Sequence, residues 1–235
     1  MSLKLGVPSK GRLQAATFDW FKDHNITLKR TGSDREYTGR VEGVGDVDLV
    51  LLSAGEIPNE LAAGRIHLGV TGQDLVAEKL PPETQKLEQL IEMGFGHADV
   101  VIAVPKVWVD VSTLADLDAV AAQFRRNHGY RLRIATKYHN IIRRALRDFG
   151  VADYQLVDSQ GATEGTVKNL TAEAIADITS TGSTLDANHL KPLSDGPILR
   201  SQATVFLSRV AEWNDDARAA FSQISQKCGW EEPEL

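Results

Sequence analysis

The sequence predicts an α/β protein made of two small sheets, each covered by helices. Short apolar runs rich in β-branched residues alternate with amphipathic helical patterns along the 235 residues. This alternation is typical of mostly parallel sheets with helices on both faces. The strands are also too numerous for one sheet in a chain of this length. Gly94 and Gly96 flank Phe95 and mark a plausible hinge between the two sheets.

The elements before the hinge begin with a strand at residues 3–7 and a helix at residues 11–24, in which Leu13, Phe18 and Phe21 lie to one side. The continuous apolar run at residues 48–52 suits a strand buried on both faces. The remaining predicted elements are a helix at 56–63, a strand at 66–70, a helix at 73–78 that Pro81 and Pro82 terminate, and a strand at 87–93.

After the hinge a strand is predicted at residues 99–104. Ser112 then suits the N-cap of a helix that reaches about Asn127. The same alternation continues with strands at 132–136, 154–157 and 174–179, helices at 140–149 and 215–228, and one long strand at 199–210.

Two chain crossings divide the sequence into domains. The first falls at the Gly94 to His97 hinge, and the second lies near Lys191 to Gly196, where Pro192 and Gly196 break the pattern. We therefore predict a first domain of residues 1–95 and 192–235 and a second of residues 96–191. Ligands of such folds bind at the carboxyl ends of strands, here in the cleft between domains.

Composition excludes several classes of protein. Apolar residues make up 42% and charged residues 25%, which is typical of a globular chain. The net charge is 26 − 32 = −6, which argues against a nucleic-acid binder. Cys228 is the single cysteine and cannot form an internal disulfide. We see neither a signal peptide nor a membrane span, so we expect a cytoplasmic protein.

The segment at residues 174–185 carries the most specific chemical signal. An apolar strand ends at Asp177, and a loop of hydroxyl residues with one glycine, Gly182, precedes a helix that begins at Thr184. The amides and hydroxyls of such a loop point at an anion, which glycine lets approach closely. Asp177 would repel a phosphate, but it suits ribose hydroxyls or a Mg²⁺ carried by the ligand. The plain structural alternative is a strand–turn–helix corner capped by Ser and Thr.

The loop from Asp177 to Thr184 resembles the phosphoribosyl-pyrophosphate (PRPP) loop of phosphoribosyltransferases. Ala176 stands where common type I members have a second acidic residue, and this departure points to the ATP phosphoribosyltransferase family, the first enzyme of histidine biosynthesis. Further segments resemble that family in the same order along the chain, at residues 8–13, 69–75, 134–138 and 161–164. The resemblance extends from Leu5 to about Ser208.

The resemblance implies two periplasmic-binding-protein-like (type II) domains with a cleft between them. It implies a reaction in which N1 of the adenine of ATP displaces pyrophosphate from C1 of PRPP. Mg²⁺, the implied cofactor, arrives with PRPP or pyrophosphate. Asp177, Lys10 and Arg12 are the implied catalytic residues. The implied PRPP-binding residues are Glu164, Asp177, Thr179, Ser180, Thr181, Gly182, Ser183 and Thr184, and the implied ATP-binding residues are Lys10, Gly11, Arg12, Arg35, Gly72 and Asp74.

The family also implies a partner. The chain resembles the short form, which works with a regulatory subunit similar to histidyl-tRNA synthetase, so we expect a homodimer within a hetero-oligomer. Phe221, Ile224 and Trp230 of the closing helix offer an apolar contact for it, although packing within the chain is the plainer interpretation for Phe221 and Ile224. Two other functions remain open, a receptor-like phosphate- or nucleotide-binding protein of the same fold class and a phosphoribosyltransferase for another base.

Overall fold

The computed structural model describes residues 2–31 and 38–234. The chain divides into two compact units. Unit 1 comprises the residues up to Gly96 and those from Gln202 onward, and unit 2 comprises His97–Ser201. Residues 192–201 thus group with unit 2, whereas the sequence analysis assigned them to the first domain.

Unit 1 contains one seven-stranded sheet and four helices in its described part. Its elements are β1 (Leu3–Pro8), α1 (Gly11–Asp23), β2 (Thr27–Arg30), β3 (Thr38–Glu42), β4 (Val47–Leu52), α2 (Ile57–Ala62), β5 (Leu68–Gly72), α3 (Gln73–Lys79) and β6 (Leu87–Glu92). The elements of unit 2 are β7 (Ala98–Pro105), α4 (Leu114–His128), β8 (Leu132–Thr136), α5 (His139–Asp148), β9 (Tyr154–Asp158), α6 (Gly165–Lys168), β10 (Ala174–Thr179), α7 (Ser183–Ala187), β11 (Leu190–Pro192) and β12 (Leu199–Ser201). The chain then returns to unit 1 with β13 (Ala203–Ser208) and α8 (Asp215–Cys228).

The sheet of unit 1 has the strand order β2-β3-β4-β1-β5-β13-β6. β1 pairs in parallel with β4 and β5, and the returning β13 is antiparallel to both β5 and β6. β2, β3 and β4 form an antiparallel ladder, so β2 runs in the same direction as β4 and β1. The carboxyl ends of β1, β2, β4 and β5 therefore lie along one edge of this sheet.

The sheet of unit 2 has the strand order β11-β7-β10-β8-β9, and β12 also pairs with β7. β10, β8 and β9 are parallel neighbours, whereas β7 is antiparallel to β10, β11 and β12. The carboxyl ends of β8, β9 and β10 meet at one edge. Antiparallel pairings outnumber parallel ones among the described strands, so the prediction of mostly parallel sheets was wrong.

The prediction of one long strand at residues 199–210 was also wrong. Its apolar run is two strands in different sheets, because β12 pairs with β7 in unit 2 and β13 lies between β5 and β6 in unit 1. Gln202 separates them, and its side chain donates to Glu92 and accepts from the backbone N–H of Gly94. The N-cap of α4 is Thr113 rather than the predicted Ser112.

Helix α8 completes the core of unit 1. Phe221 and Ile224 are fully buried against β1 and its neighbours, and Trp230 is 8% exposed in the same cluster. The expectation that these side chains offer a partner surface was therefore wrong, because they already pack within the chain. Cys228 lies in the same cluster, and burial raises the pKa of its thiol to about 12.

Candidate active site

The predicted PRPP loop follows β10 at the carboxyl edge of the unit 2 sheet. Gly182 is the N-cap of α7 and takes φ +74°, ψ −5°, a conformation that glycine adopts without strain. The hydroxyl of Thr179 accepts the Gly182 N–H at 2.9 Å, and this bond closes the turn. A Cβ at Gly182 would meet no atom within 4 Å, so the space above its backbone is open.

The hydroxyl residues of this loop are oriented by one another. Thr181 Oγ1 and Ser183 Oγ lie 2.9 Å apart, and Thr181 Oγ1 also accepts the Ser183 N–H at 3.3 Å. The first helical hydrogen bond of α7 runs from the Asp186 N–H to the Gly182 carbonyl. The amides of Thr184 and Leu185 precede that bond, so they have no helical acceptor. Ser180, Thr181, Ser183 and Thr184 are all exposed, so their donors can reach a ligand.

Asp177 stands near the end of β10 beside a cation. Its side chain is 12% exposed, and its Oδ1 lies 3.5 Å from Lys137 Nζ. The same oxygen accepts the Ile178 N–H at 2.8 Å. Lys137 directly follows β8 and also lies over the ring of Tyr138, 5.0 Å from its centroid. The sequence analysis did not assign Lys137, although a lysine directly after a buried strand was a usable signal.

Glu164 reaches the same edge through a loop that follows β9. The Ser159 N–H donates to the Thr136 carbonyl at 3.1 Å, which ties this loop to the end of β8. Ser159 and Thr163 are buried, and their hydroxyls lie 3.1 Å apart. Glu164 is the N-cap of α6 and makes no side-chain capping bond. Unit 2 thus brings Glu164 and the loop from Asp177 to Thr184 to one edge of its sheet.

The predicted residues of unit 1 lie at the carboxyl edge of the other sheet. Lys10 is the N-cap of α1, two residues after the end of β1, and Gly11 takes φ +79° at the first helical position. The Ser9 N–H donates to the Leu52 carbonyl at 2.7 Å and so joins the turn to the end of β4. Lys10 and Arg12 are both exposed.

Gly72 and Asp74 occupy the start of α3 at the end of β5. Gly72 is the N-cap, with an extended backbone and no side-chain capping bond. Asp74 lies in the first turn and is 6% exposed, where a carboxylate complements the helix dipole. Thr71 donates to the Ala54 carbonyl at 2.8 Å, which joins this strand end to the loop after β4. Arg35, the remaining predicted ATP-binding residue, lies outside the described residues.

A pocket of about 850 Å³ opens at this edge of unit 1. Lys10 and Gly11 line it, whereas Arg12 does not. Arg30 and Gln14 also line it, and the sequence analysis missed both. Ser53 donates its N–H and its hydroxyl to Glu56 Oε2 at 3.0 and 2.7 Å on another wall, and these bonds hold the pKa of the Glu56 carboxyl below its usual value.

Residues 2–31 and 38–234 contain no cluster of three or more His, Cys, Asp or Glu side chains that could hold a metal ion. They also contain no helix long and apolar enough to cross a membrane.

Comparisons with solved structures support the fold class. The structure titled ATP phosphoribosyl transferase (HisG:HisZ) complex from Thermotoga maritima matches 97% of this chain and 98% of its own, with a TM-score of 0.72 at 22% identity. The amino-acid ABC transporter extracellular-binding protein ytmK from Bacillus subtilis matches 97% of this chain and 90% of its own, with a TM-score of 0.54 at 11% identity. The predicted class of two type II periplasmic-binding-protein-like domains is confirmed.

Sequence comparisons give the family. The family model described as HisG, ATP phosphoribosyltransferase, matches residues 53–227. The ATP phosphoribosyltransferase of Cereibacter sphaeroides is 62% identical over 234 residues, which cover 100% of this chain and 99% of that protein. The enzyme of the same name from Bradyrhizobium sp. strain ORS 278 is 49% identical over 92% of this chain, which spans 66% of its length.

The fold and the sequence relatives together define a phosphoribosyltransferase built on type II periplasmic-binding-protein-like domains. The chain belongs to the ATP phosphoribosyltransferase family.

Proposed function

We propose that this chain is the catalytic subunit that joins ATP to PRPP, giving phosphoribosyl-ATP and pyrophosphate in the first step of histidine biosynthesis. A bond forms between adenine N1 and ribose C1 as the bond from C1 to the pyrophosphate oxygen breaks, and pyrophosphate leaves with that electron pair. The loop from Asp177 to Thr184 carries the proposal, because its open glycine turn and its ordered hydroxyls suit a sugar phosphate.

PRPP is assigned to unit 2. The hydroxyls of Thr181, Ser183 and Thr184 donate to its 5′-phosphate, together with the loop amides. Asp177 and Glu164 accept hydrogen bonds from its ribose hydroxyls, and Lys137 beside Asp177 offsets the charge of that carboxylate. Thr179 has an indirect role, because its hydroxyl accepts the Gly182 N–H and so stabilises the turn. Ser180, in the same loop, is the last of the proposed PRPP-binding residues.

ATP is assigned to unit 1, at Lys10, Gly11, Arg12, Gly72 and Asp74, with Arg35 as a further proposed contact. Adenine N1 is a modest nucleophile, so the enzyme has to hold it in line with C1 and stabilise the charge that develops on pyrophosphate. Lys10 and Arg12 supply positive charge for the second task. Asp74 is buried at the start of α3 and is proposed to contact ATP there together with Gly72.

Mg²⁺ is proposed to arrive with PRPP or to leave with pyrophosphate. The described residues fit a metal that the substrate carries, because Asp177 offers one carboxylate and no cluster of three metal ligands surrounds it in the described part of the chain. Mg²⁺ is commonly held by one or two carboxylates and by substrate phosphates. When bound, it would neutralise the charge of the pyrophosphate group.

The proposed partner is a regulatory subunit similar to histidyl-tRNA synthetase, with this chain as a dimer inside a hetero-oligomer in the cytoplasm. Two observations support it: the likeness to the chain in the Thermotoga maritima HisG:HisZ complex, and the match to nearly the full length of the Cereibacter sphaeroides enzyme. Co-purification of such a protein from the native cell, with a change of turnover when it is added back, tests this assignment.

Asp177→Asn tests the site assignment in an assay that follows phosphoribosyl-ATP by mass. Hydrogen bonds to charged groups contribute about 1.5–3 kcal/mol, so kcat/KM should fall about tenfold or more. Asp158→Asn is the matched control, because Asp158 ends the parallel strand β9 and is exposed to solvent. Equal activities of the two variants would contradict the assignment of PRPP to this loop.

A further inference from the structure

The pocket of unit 1 carries more positive charge than the predicted residues account for. β2 runs parallel to β1 and β4, so Arg30 at its carboxyl end reaches the same edge as Lys10. Glu56 is the single carboxylate among the described residues that line the pocket, and it already accepts two hydrogen bonds from Ser53. The described residues that line the pocket therefore include two cations, Lys10 and Arg30, and one carboxylate whose oxygen already accepts hydrogen bonds.

Arg30 is held in place but retains donor capacity. Its side chain is half-buried, and one guanidinium N–H donates to the backbone carbonyl of Ser9. A guanidinium carries five N–H donors in a planar fork, which suits phosphate oxygens. The bond to Ser9 fixes this fork beside the turn that carries Lys10.

Gln14 supplies a second, independent observation on the same wall. It lines the pocket from the second turn of α1, and its amide nitrogen is buried without a hydrogen-bond partner in the described part of the chain. An unsatisfied buried donor costs about 1–3 kcal/mol, so such groups are rare in native proteins. A rotation of the Gln14 side chain towards the pocket would let an acceptor oxygen of a ligand satisfy this donor.

We propose that Arg30 and Gln14 bind phosphate oxygens of a polyphosphate chain in this pocket, together with Lys10. The inference rests on the proposed function and extends it, because neither residue belongs to the predicted site. The polyphosphate chain is the triphosphate of ATP, since ATP is assigned to unit 1. The pyrophosphate group of PRPP shares this chemistry, and the experiment below separates the two sources.

Three variants of the full chain test the proposal. Arg30→Ala removes the guanidinium group, whereas Arg30→Lys keeps a positive charge and a donor for the Ser9 carbonyl. Gln14→Leu removes an amide nitrogen that has no partner to lose, so it should fold at least as well as the parent. Lys29→Ala is the matched control, because Lys29 is the exposed neighbour of Arg30 on β2 and pairs with Glu42.

The measurements are KM for ATP, KM for PRPP, kcat, thermal stability, and calorimetric titration with inorganic pyrophosphate as a probe. We expect KM for ATP to rise about tenfold or more in Arg30→Ala and less in Arg30→Lys. Gln14→Leu should raise KM for ATP several-fold without loss of thermal stability. KM for PRPP should stay near the parent value, and Lys29→Ala should match the parent throughout.

A rise in KM for PRPP alone would overturn the assignment to ATP. Unchanged KM values and unchanged pyrophosphate affinity in Arg30→Lys and Gln14→Leu would overturn the inference altogether, even if Arg30→Ala loses stability. A failure of the proposed function is distinguishable, because in that case the parent chain itself would be inactive with ATP and PRPP. An active parent with unaffected pocket variants contradicts this inference alone.

Discussion

At Gly182 the backbone of the phosphate loop turns with a positive φ of +74° into open space. Both properties depend on the missing side chain, because this conformation costs other L-residues about 1–2 kcal/mol and a Cβ would project into the open space above the turn. The sequence singled out this glycine because an acidic residue, hydroxyl residues and one glycine in that order are typical of an anion-binding loop, and its binding of PRPP stays a prediction.

Gly182→Val should lose PRPP binding while unit 2 stays folded. The added side chain occupies the open space above the turn. Gly129→Val is the control, because Gly129 has φ +79°, equally open surroundings and a position at the far end of α4. Both variants should lose similar stability, but only Gly182→Val should lose PRPP affinity by calorimetric titration. Equal PRPP affinities of the two variants would contradict the loop assignment.

Arg30 and Lys137 show why single-residue assignments from sequence stayed incomplete. Arg30 lies in a short, largely polar strand, and nothing in its neighbours indicates that β2 lies two strands away from β4. The proximity of Lys137 to Asp177 requires β8 and β10 to pair, although 40 residues separate these two side chains. The place of Arg30 in the pocket wall and the proximity of Lys137 to Asp177 both depend on tertiary structure, which a local sequence pattern does not specify.

At the scale of elements, hydrophobic pattern predicted the apolar strands and missed the polar ones. β8 and β10 were predicted at their observed bounds because apolar residues dominate both runs and most of these residues are buried. β2 and β3 were missed, since β3 alternates between exposed and half-buried residues and neither strand has an apolar run. The division of the 199–210 run between two sheets depends on partners distant in sequence, which an apolar pattern cannot specify.

The N-cap of α4 was predicted at Ser112 and is observed at Thr113, and this difference can be tested directly. Thr113 Oγ1 accepts the Asp116 N–H at 3.1 Å, and Asp116 Oδ2 accepts the Thr113 N–H at 2.8 Å, which forms a capping box. Thr113→Ala should lower the free energy of unfolding by about 1 kcal/mol in urea denaturation. Ser112→Ala, at the N-cap predicted from sequence, should be nearly neutral. The reverse order of the two effects would contradict the observed cap.

His67 makes the stability of unit 1 depend on pH. Its Nδ1 accepts the Lys4 N–H at 3.0 Å, and its Nε2 lies 3.1 Å from the Glu212 carbonyl, so the buried ring is held neutral between β1 and the segment before α8. Burial lowers the pKa of His67 below its usual 6.5. The unfolded chain therefore binds the proton more readily, and stability should fall as pH drops below about 6.5.

Urea unfolding between pH 7.5 and 5.5 measures this effect. The free energy of unfolding should decrease towards pH 5.5 in the parent and decrease less in His67→Gln, which has no ring to protonate. His97→Gln, at an exposed histidine, should keep the parental slope. A parental pH slope in His67→Gln would show that His67 is not the group responsible.

For the whole molecule, one chain folds as two α/β units, and each carries its candidate residues at the carboxyl edge of its own sheet. The sequence predicted a division near Gly94 and Gly96 because two glycines that interrupt the strand pattern are a local signal. It misplaced the return crossing, since β12 belongs to unit 2 through its pairing with β7. Family membership adds the chemistry, and in the proposed function the loop of unit 2 binds PRPP and the pocket of unit 1 binds ATP.

The most direct test of the proposed reaction is a competition assay. The purified chain is incubated with PRPP, Mg²⁺ and an equimolar mixture of ATP, adenine and orotate, with and without the proposed regulatory subunit. Products are identified by mass, and released pyrophosphate is measured in parallel. We predict a single product with the mass of phosphoribosyl-ATP and one pyrophosphate released per molecule formed. A ribonucleotide of adenine or orotate, or PRPP binding without any turnover, would contradict the proposed reaction.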